Sequence, residues 1–272
     1  MITRESFARQ LYTGLEKLQV QEVPGATHLY KRPAVRRGST SLDKIGVLMT
    51  EVIFEVPDQR VFWDRWHESH TTAGKGSHGD DALRIFIDRL PDDCEGLRVL
   101  ELGCGQGKQA IDLARSGYRV SAFDRSPVAI TAAQHNAENA GVPVDFAEHD
   151  MTQSLPYEAQ AFSGVFSHLS LHYFDDLKTR EIFSELARVL EPGGIFFFTA
   201  RSVQDPFYGQ GDWLGRDLYC HEGHVRRFFD KEYISKDLID WNVHFAEYYK
   251  IDGDRKVNPG IYIRVLATRP SE

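Results

Sequence analysis

Residues 99–114, VLELGCGQGKQAIDLA, join a short apolar run to a cluster of three glycines and then to a helix-like segment. The apolar run, Arg98–Leu102, is typical of a buried strand, and Gln109–Ser116 has its apolar residues on one helical face. Glycines between the two segments allow a tight turn and let a ligand approach the backbone closely. The segment therefore predicts a strand, a ligand-binding turn and a helix, in that order.

The alternation of strands and helices continues beyond this turn. Helix-like patterns separate four more strand-like segments, Tyr118–Phe123, Val144–Glu148, Ser163–Leu171 and Ile195–Ala200. Five strands that alternate with helices predict an α/β fold with a mostly parallel sheet and helices on both faces. Two last strand-like segments predict an antiparallel hairpin at the C-terminal end of the sheet, Val243–Lys250 and Ile261–Thr268.

Two parts of the chain depart from this pattern. Residues 202–224 are rich in Gly, Asp and aromatic residues and show little periodicity. A loop this long is usually a lid or a binding loop, so we expect residues 202–229 to form a substrate lid. Residues 1–60 are expected to form an N-terminal extension, a lid or a dimerisation arm, before a domain over 61–272. The protein is accordingly expected to be a monomer or a homodimer.

Composition narrows the class of partner and the compartment. The 272 residues include 32 basic and 40 acidic side chains, a formal net charge of −8. This balance disfavours partners that need a strong positive field, so neither nucleic acid nor a membrane surface is expected. The three cysteines form no C-x-x-C pair and the start of the chain lacks a signal-peptide core, which favours the cytoplasm. His67, His70 and His78 with Glu68 match no metal-site spacing, so no metal is expected.

An acidic residue follows the glycine turn at the distance typical of a ribose-binding carboxylate. Asp124 ends the second predicted strand, 21 residues after Gly103, close to the ~20 residues expected of such an acid. The glycines are spaced G-x-G-x-G, not G-x-G-x-x-G as in nicotinamide dinucleotide sites, and Glu101 precedes them. A carboxylate there repels a pyrophosphate and suits a cationic group, which favours S-adenosylmethionine.

The chain resembles the class I S-adenosylmethionine-dependent methyltransferases over roughly residues 61–272. The matching motifs are VLELGCGQGKQAIDLA (99–114), AFD (122–124), EHDM (148–151) and RVLEPGGIFFF (188–198). The chain is most similar to the small-molecule branch, the tellurite-resistance and thiopurine methyltransferase-like enzymes, which implies a Rossmann-like, seven-stranded sheet. FSGV at 162–165 replaces the F-D-x-V of many members, and no N-P-P-Y-type motif follows, which argues against methylation of nucleobases.

The resemblance implies a cofactor site around the glycine turn. Glu101 would anchor the ammonium of S-adenosylmethionine, Asp124 would accept both ribose hydroxyls, and the turn itself would pass under the methionyl part. Arg125 and Asp150 would border the adenine. The full set of residues implied to bind the cofactor is Glu101, Gly103, Cys104, Gly105, Gly107, Asp124, Arg125, Asp150, Met151, Ser167 and His168.

The acceptor pocket is expected between the aromatic segment 62–66 and the predicted lid. Transfer of a methyl group from a sulfonium is an in-line displacement that mainly requires alignment. A thioether or a neutral amine attacks without a base, whereas a phenol or an alcohol needs one, usually a histidine. The expected acceptor-binding residues are Trp63, Trp66, Tyr173, Tyr208, Trp213, Arg226 and Arg227. The candidate catalytic residues are His172, Tyr219, His221 and His224.

These residue types favour an amino-acid-like acceptor. Aromatic faces attract a cationic sulfonium or ammonium, and an arginine fork suits a carboxylate. The favoured function is therefore methylation of an amine or a thioether, of which S-methylation of methionine is one version. Two alternatives stay open: O-methylation of a phenolic biosynthetic intermediate, and a non-catalytic sensor that binds S-adenosylmethionine. The net charge disfavours an RNA methyltransferase, and the glycine spacing disfavours a nicotinamide oxidoreductase.

Overall fold

The computed structural model describes residues 59–70, 81–91, 93–94, 96–250 and 260–271. The chain divides into two compact units, Met1–Glu55 and Val56–Glu272, and the described residues all belong to the second. Most of the expected N-terminal extension and His78 lie outside the described residues, so the role of the extension stays a prediction. Among the helices that are described, none has the length and apolar character needed to cross a bilayer.

The second unit alternates helices and strands along the chain. The helices of its described residues are α1 Arg60–Ser69, α2 Ala82–Ile87, α3 Lys108–Arg115, α4 Pro127–Ala140, α5 Asp176–Val189 and α6 Lys231–Asp237. The first five strands are β1 Arg98–Leu102, β2 Arg119–Asp124, β3 Asp145–Glu148, β4 Phe162–His168 and β5 Leu190–Arg201. The remaining strands are β6 Asp212–Gly215, β7 Leu218–His221, β8 His224–Arg227, β9 Asn242–Lys250 and β10 Ile261–Thr268.

Seven strands form one sheet in the order β3-β2-β1-β4-β5-β10-β9. The strands β1 to β5 pair in parallel, and β10 runs antiparallel to both β5 and β9. The predicted Rossmann-like sheet with its antiparallel C-terminal hairpin is confirmed. The chain runs from β1 to β2 and β3 on one side of β1 and then returns to β4 on its other side. Open α/β sheets bind ligands at the carboxyl ends of the strands beside such a reversal of strand order. The glycine turn follows β1 at this edge.

The sheet is buried on both faces by two apolar cores. Phe196 and Phe198 of β5 pack in one core with Leu186 of α5, and Phe197 packs in the other with Phe86 of α2. Successive side chains of a strand point to opposite faces, so a strand covered on both sides is apolar throughout. This explains the unbroken run IFFF at 195–198 and confirms the expected helices on both faces.

Two segments differ from the sequence prediction. The expected irregular loop contains β6, β7 and β8, which form a separate three-stranded antiparallel sheet, called here the small sheet. Its strands have four residues each, too few to display a period of two in the sequence. The fifth strand is predicted over Ile195–Ala200, but β5 begins at Leu190 and includes the Pro192–Gly194 segment. Gly193 N–H donates to the carbonyl of Arg269 at 2.9 Å, which keeps this segment paired.

Candidate cofactor and acceptor site

The glycine turn between β1 and α3 packs closely against side chains of neighbouring segments. Gly103 and Gly107 have φ angles of 62° and 80°, in the left-handed region that favours glycine. A Cβ on Gly103 would collide with the side chain of Ser170, and one on Gly107 would lie 2.7 Å from the Phe146 ring. Larger residues at these two positions would therefore push the turn away from the sheet edge.

Glu101 is a buried carboxyl just before this turn. Its side chain accepts a hydrogen bond from the N–H of Ala110 in the first turn of α3, and burial raises its pKa well above the ordinary value. Its Oε2 has no hydrogen-bond partner among the described residues. An unpartnered buried oxygen is costly, and a bound ammonium would both satisfy it and favour the charged carboxylate. Glu101 therefore fits the ammonium group of S-adenosylmethionine.

Asp124 joins the end of β2 to the glycine turn. Its Oδ2 accepts a hydrogen bond from Gly105 N–H and its Oδ1 accepts one from Ser126 N–H, both at 2.9 Å. Burial raises the pKa of Asp124, while these two hydrogen bonds and the nearby His67 oppose the increase. The structure thus places the expected ribose-binding carboxylate beside the turn, 19 residues along the chain from Gly105.

Arg125 and Asp150 lie together beyond the ends of β2 and β3. Arg125 Nη2 is 3.5 Å from Asp150 Oδ2, and both side chains are about one-third exposed. Asp150 Oδ1 also accepts hydrogen bonds from the N–H and hydroxyl of Thr152, at 2.9 and 2.8 Å. One oxygen of Asp150 therefore fixes the local turn while the other faces Arg125. This arrangement keeps both residues at the edge where the adenine is expected.

The other expected cofactor residues are tied into the same edge. Ser167 is buried, and its hydroxyl is 2.7 Å from that of Ser170, which in turn donates to the carbonyl of Leu102 at 2.8 Å. His168 Nδ1 is 2.9 Å from the hydroxyl of Thr199. These two residues link the end of β4 to β1 and β5. Cys104 is buried within the turn and Met151 packs against the core beside it.

Helix α1 covers the glycine turn. The side-chain amide of Gln106, in the turn, donates to the carbonyls of His67 and His70 at 3.3 and 2.6 Å. The hydroxyl of Ser126 donates to Asp64 Oδ1 at 2.5 Å. His67 Cε1 is 3.3 Å from the position that a Cβ on Gly105 would occupy. Sequence reasoning considered His67 only as a metal ligand and did not single out Gln106, because their proximity depends on tertiary structure.

Rings from α1, the β4–α5 loop and β8 form an aromatic cluster, defined here as Phe62, Trp63, Trp66, Tyr173 and His224. The His224 ring stacks on Phe62 and Tyr173, with centroids 4.2 and 5.5 Å away. Trp63 presents an edge to both His224 and Tyr173, at 5.4 and 5.3 Å. The structure therefore brings four of the predicted acceptor-site residues together: Trp63, Trp66, Tyr173 and His224.

Two histidines at this cluster are held neutral. Burial, and then the charges of Arg226 and Arg201, lower the pKa of His224 to about 3. Burial and the charge of Arg201 lower the pKa of His172 well below its ordinary value. Among the described residues, His172 Nδ1 and His224 Nε2 have no hydrogen-bond partner. Both rings are thus buried polar groups that a ligand could satisfy.

Register divides the small sheet into two faces. Tyr219 lies opposite Arg226 and His221 lies opposite His224 in the β7–β8 pair, and Trp213 lies opposite Tyr219 in the β6–β7 pair. Directly opposed residues of an antiparallel pair project from the same face. One face of the small sheet therefore carries five of the predicted residues, from buried His224 to Trp213, which is 57% exposed.

Arg227 projects from the opposite face of the small sheet, where its contacts are with buried parts of the fold. Its side chain is fully buried and pairs with Asp176 in the first turn of α5. Its guanidinium also lies 4.1 Å from the centroid of the Tyr233 ring. Because consecutive residues of a strand alternate between faces, Arg226 and Arg227 could not both line one pocket. Arg227, predicted to bind the acceptor together with Arg226, therefore packs away from the face that carries Arg226.

Tyr208 and Tyr219 form a second aromatic group with Phe228. Their ring centroids lie 5.5 to 6.0 Å apart in pairs. The hydroxyl of Tyr208 donates to Asp217 Oδ1 at 2.8 Å, which raises the pKa of Tyr208. The centroid of the His221 ring lies 6.1 Å from that of the Phe207 ring. The roles of Tyr208, Tyr219, His221 and Trp213 toward an acceptor stay predictions.

A family model described as a methyltransferase domain matches residues 99–194. The chain is similar to methyltransferases over these residues. The expected similarity to S-adenosylmethionine-dependent methyltransferases is confirmed. The matched residues run from β1 to the start of β5 and include the glycine turn, Asp124 and Asp150.

Two curated relatives resemble the chain over this domain. The chain is 37% identical over 101 residues to an uncharacterized methyltransferase of Synechocystis sp., covering 37% of this chain and 45% of that protein. It is 32% identical over 120 residues to the ubiquinone biosynthesis O-methyltransferase of Methylobacterium sp., covering 44% of this chain and 45% of that protein. The chain thus spans less than half the length of either relative.

The solved structures resemble the chain over a larger part of its length. One is the 1,6-didemethyltoxoflavin-N1-methyltransferase of Burkholderia thailandensis, solved with its substrate and S-adenosylhomocysteine. It has a TM-score of 0.59 and 18% identity, and the match covers 78% of this chain and 86% of that one. At this identity the likeness supports the fold alone.

Proposed function

We propose that this chain transfers a methyl group from S-adenosylmethionine to a small-molecule acceptor, favoured as an amine or a thioether of an amino-acid-like metabolite. The observation that carries the proposal is that one helix joins the two sites. On α1, His67 lies over Gly105 of the glycine turn, and its ring is 6.1 Å from that of Trp63 in the aromatic cluster. An acceptor bound among these rings would lie next to the turn that holds the methionyl group.

The chain's own residues would align the two reactants. Glu101 would bind the ammonium, Asp124 the ribose, and Arg125 and Asp150 would border the adenine. When bound, S-adenosylmethionine supplies a methyl group that is already activated on a sulfonium. The protein then has mainly to orient the acceptor and exclude water, and such alignment contributes ~7–11 kcal/mol to lowering a barrier.

The state of the buried histidines supports an acceptor that needs no base. A general base works best when its pKa is near the operating pH, whereas the pKa of His224 is lowered to about 3 and that of His172 is also well below its ordinary value. The lone pair of a thioether or a neutral amine attacks without losing a proton first. The cationic product is then stabilised by the faces of Trp63 and Tyr173.

O-methylation of a phenol is the second candidate, favoured by the similarity to the ubiquinone biosynthesis O-methyltransferase. It would require a base to remove the phenolic proton. His221 is the candidate that fits best, because it is only partly buried and lies on the same face of the small sheet as His224. In this version the pH profile of the reaction would rise with the titration of one histidine.

The test is release of S-adenosylhomocysteine from S-adenosylmethionine in the presence of an acceptor panel. The panel contains methionine and the other amino acids, small amines, thiols, phenols and bulk tRNA. Turnover with an amine or a thioether supports the proposal, and turnover with phenols alone transfers support to the second candidate. Binding of S-adenosylhomocysteine without turnover on any class would contradict methyl transfer and support the non-catalytic sensor.

A further inference from the structure

The face of the small sheet that carries His224 also carries Arg226, a cation with no carboxylate partner among the described residues. Arg226 follows His224 by two residues on β8, so the two side chains share that face. Its guanidinium lies 5.3 Å from the centroid of the Phe207 ring. Among the described residues no carboxylate pairs with it, and burial lowers its pKa. A half-buried cation of this kind is costly unless an anion binds beside it.

A second arginine stands over the same ring. Arg201, at the end of β5, places its guanidinium 5.5 Å from the centroid of Phe207. Its Nη1 is 2.7 Å from Asp205 Oδ2, and these side chains are 17% and 0% exposed. Asp205 also accepts hydrogen bonds from the N–H groups of Phe207 and Ile261, at 2.9 and 3.1 Å. Arg201 is therefore held in place, and its charge is already balanced.

The charges around Phe207 leave one positive charge uncompensated. Asp205 balances Arg201, Arg226 has no partner among the described residues, and His172 and His224 are neutral. One excess positive charge matches a monoanionic carboxylate better than a dianionic phosphate. A carboxylate also fits the planar fork of a guanidinium.

Charges of both the arginines and the glycine-turn region act on Tyr173 of the aromatic cluster. Burial raises the pKa of Tyr173, the charges of Arg201 and Arg226 oppose this increase, and the charge of Asp124 adds to it. Tyr173 therefore lies within electrostatic reach of both the cofactor turn and the arginine pair. An acceptor with a reactive group among the rings and a carboxylate a short distance away would span this arrangement.

We infer that Arg226, supported by Arg201, binds a carboxylate of the acceptor and so selects acceptors that carry one. The inference rests on the proposed function, which it deepens by naming the charged group of the substrate. Sequence reasoning named Arg226 and Arg227 together and did not name Arg201. The structure instead pairs Arg226 with a residue 25 positions earlier, because both reach the Phe207 ring.

The test compares each free amino acid of the panel with its methyl ester, in turnover and in binding to the protein saturated with S-adenosylhomocysteine. We expect at least one acid to bind, and its ester to bind or react about tenfold or more weakly. Arg226→Gln should remove this preference, and Arg226→Lys should keep part of it, because lysine retains the charge but not the fork. Arg119→Gln, an exposed arginine at the opposite edge of the sheet, is the matched control and should change nothing.

An acid-to-ester preference that Arg226→Gln leaves unchanged would overturn the inference, as would an acceptor that reacts equally well as its ester. Binding of no acid in the panel would also overturn it. These outcomes are distinct from failure of the proposed function, which is judged by S-adenosylhomocysteine release with acceptors of every charge. Affinity for S-adenosylhomocysteine should be the same in the wild type and all three variants, so loss of the cofactor site cannot imitate the expected result.

Discussion

The burial of Glu101 disfavours its charged form, although that charged form is the one proposed to bind the ammonium of S-adenosylmethionine. A carboxyl whose pKa is higher in the folded than in the unfolded protein takes up a proton on folding. Burial raises the pKa of Glu101 well above its ordinary value of 4.5. The free energy of unfolding of the ligand-free protein therefore falls as pH rises above about 4.5, and it continues to fall until the pH passes the folded-state pKa.

Glu101→Gln keeps the size of the side chain and removes this penalty. We expect the variant without ligand to unfold at a higher temperature than the wild type at pH 8, and the difference to shrink at pH 5. Its affinity for S-adenosylhomocysteine should fall about tenfold or more, because the ammonium loses a charged partner. Thermal unfolding at the two pH values, with and without S-adenosylhomocysteine, checks both parts. A variant that is destabilised at pH 8 yet binds normally would refute this role for Glu101.

His224 provides a test of whether the reaction needs a base. With its pKa lowered to about 3, the ring stays neutral from pH 5 to 9 and contributes no ascending limb in that range. The profile of kcat/KM against pH should therefore keep its shape in His224→Phe, which preserves the stacking, and the rate should stay within about tenfold of wild type. A drop of about 100-fold or more, with loss of an ascending limb, would instead identify a general base.

Among the secondary-structure elements, α1 is the helix that covers the glycine turn. The side-chain amide of Gln106 donates to the carbonyls of His67 and His70 at the end of α1, and only 6% of the residue is exposed. Gln106→Met removes the donor at nearly constant volume. We expect amide hydrogen exchange over residues 60–70 to speed up and affinity for S-adenosylhomocysteine to fall by about 3- to 10-fold. Gln134→Met, on the exposed side of α4, is the control; equal protection in both variants would argue against α1 as a cover.

The two faces of β8 predict opposite results for neighbouring arginines. Arg227→Met leaves Asp176 without its buried partner, so we expect a loss of about 3 kcal/mol in the free energy of unfolding. Arg226→Gln removes a half-buried cation that has no carboxylate partner among the described residues, so we expect no loss in the free energy of unfolding. Urea unfolding of the two variants measures both values. Similar losses would show that the alternation of faces has been assigned wrongly.

At the scale of the whole molecule, the sequence predicts what is local and misses what depends on register and packing. The glycine turn, Asp124 and Asp150 each follow directly after a predicted strand, so their meeting at one sheet edge follows from parallel topology. The strands of the small sheet are too short to show periodicity, so the separation of Arg226 from Arg227 could not be foreseen. Arg201 comes near Arg226 only through the packing of Phe207.

The lowered pKa values of His172 and His224 also depend on packing and could not be predicted from the sequence. Their sequence neighbours gave no sign that burial and two arginines would hold His172 and His224 neutral. This electrostatic state, which favours an acceptor that needs no base, belongs to the assembled site. The proposed cofactor site is thus encoded in contiguous motifs, whereas the proposed acceptor site depends on side chains that the fold brings together from α1, the β4–α5 loop, β5 and β8.

We propose that the chain transfers a methyl group to the nitrogen or sulfur of a small carboxylate-bearing molecule. The most direct measurement is to supply S-adenosylmethionine with a deuterium-labelled methyl group, together with the amino acids and amines of the panel, and to locate the label by mass spectrometry. We expect the label on an amine nitrogen or a thioether sulfur of a free acid. Label found only on a phenolic oxygen, or on no acceptor while S-adenosylhomocysteine still binds tightly, would contradict it.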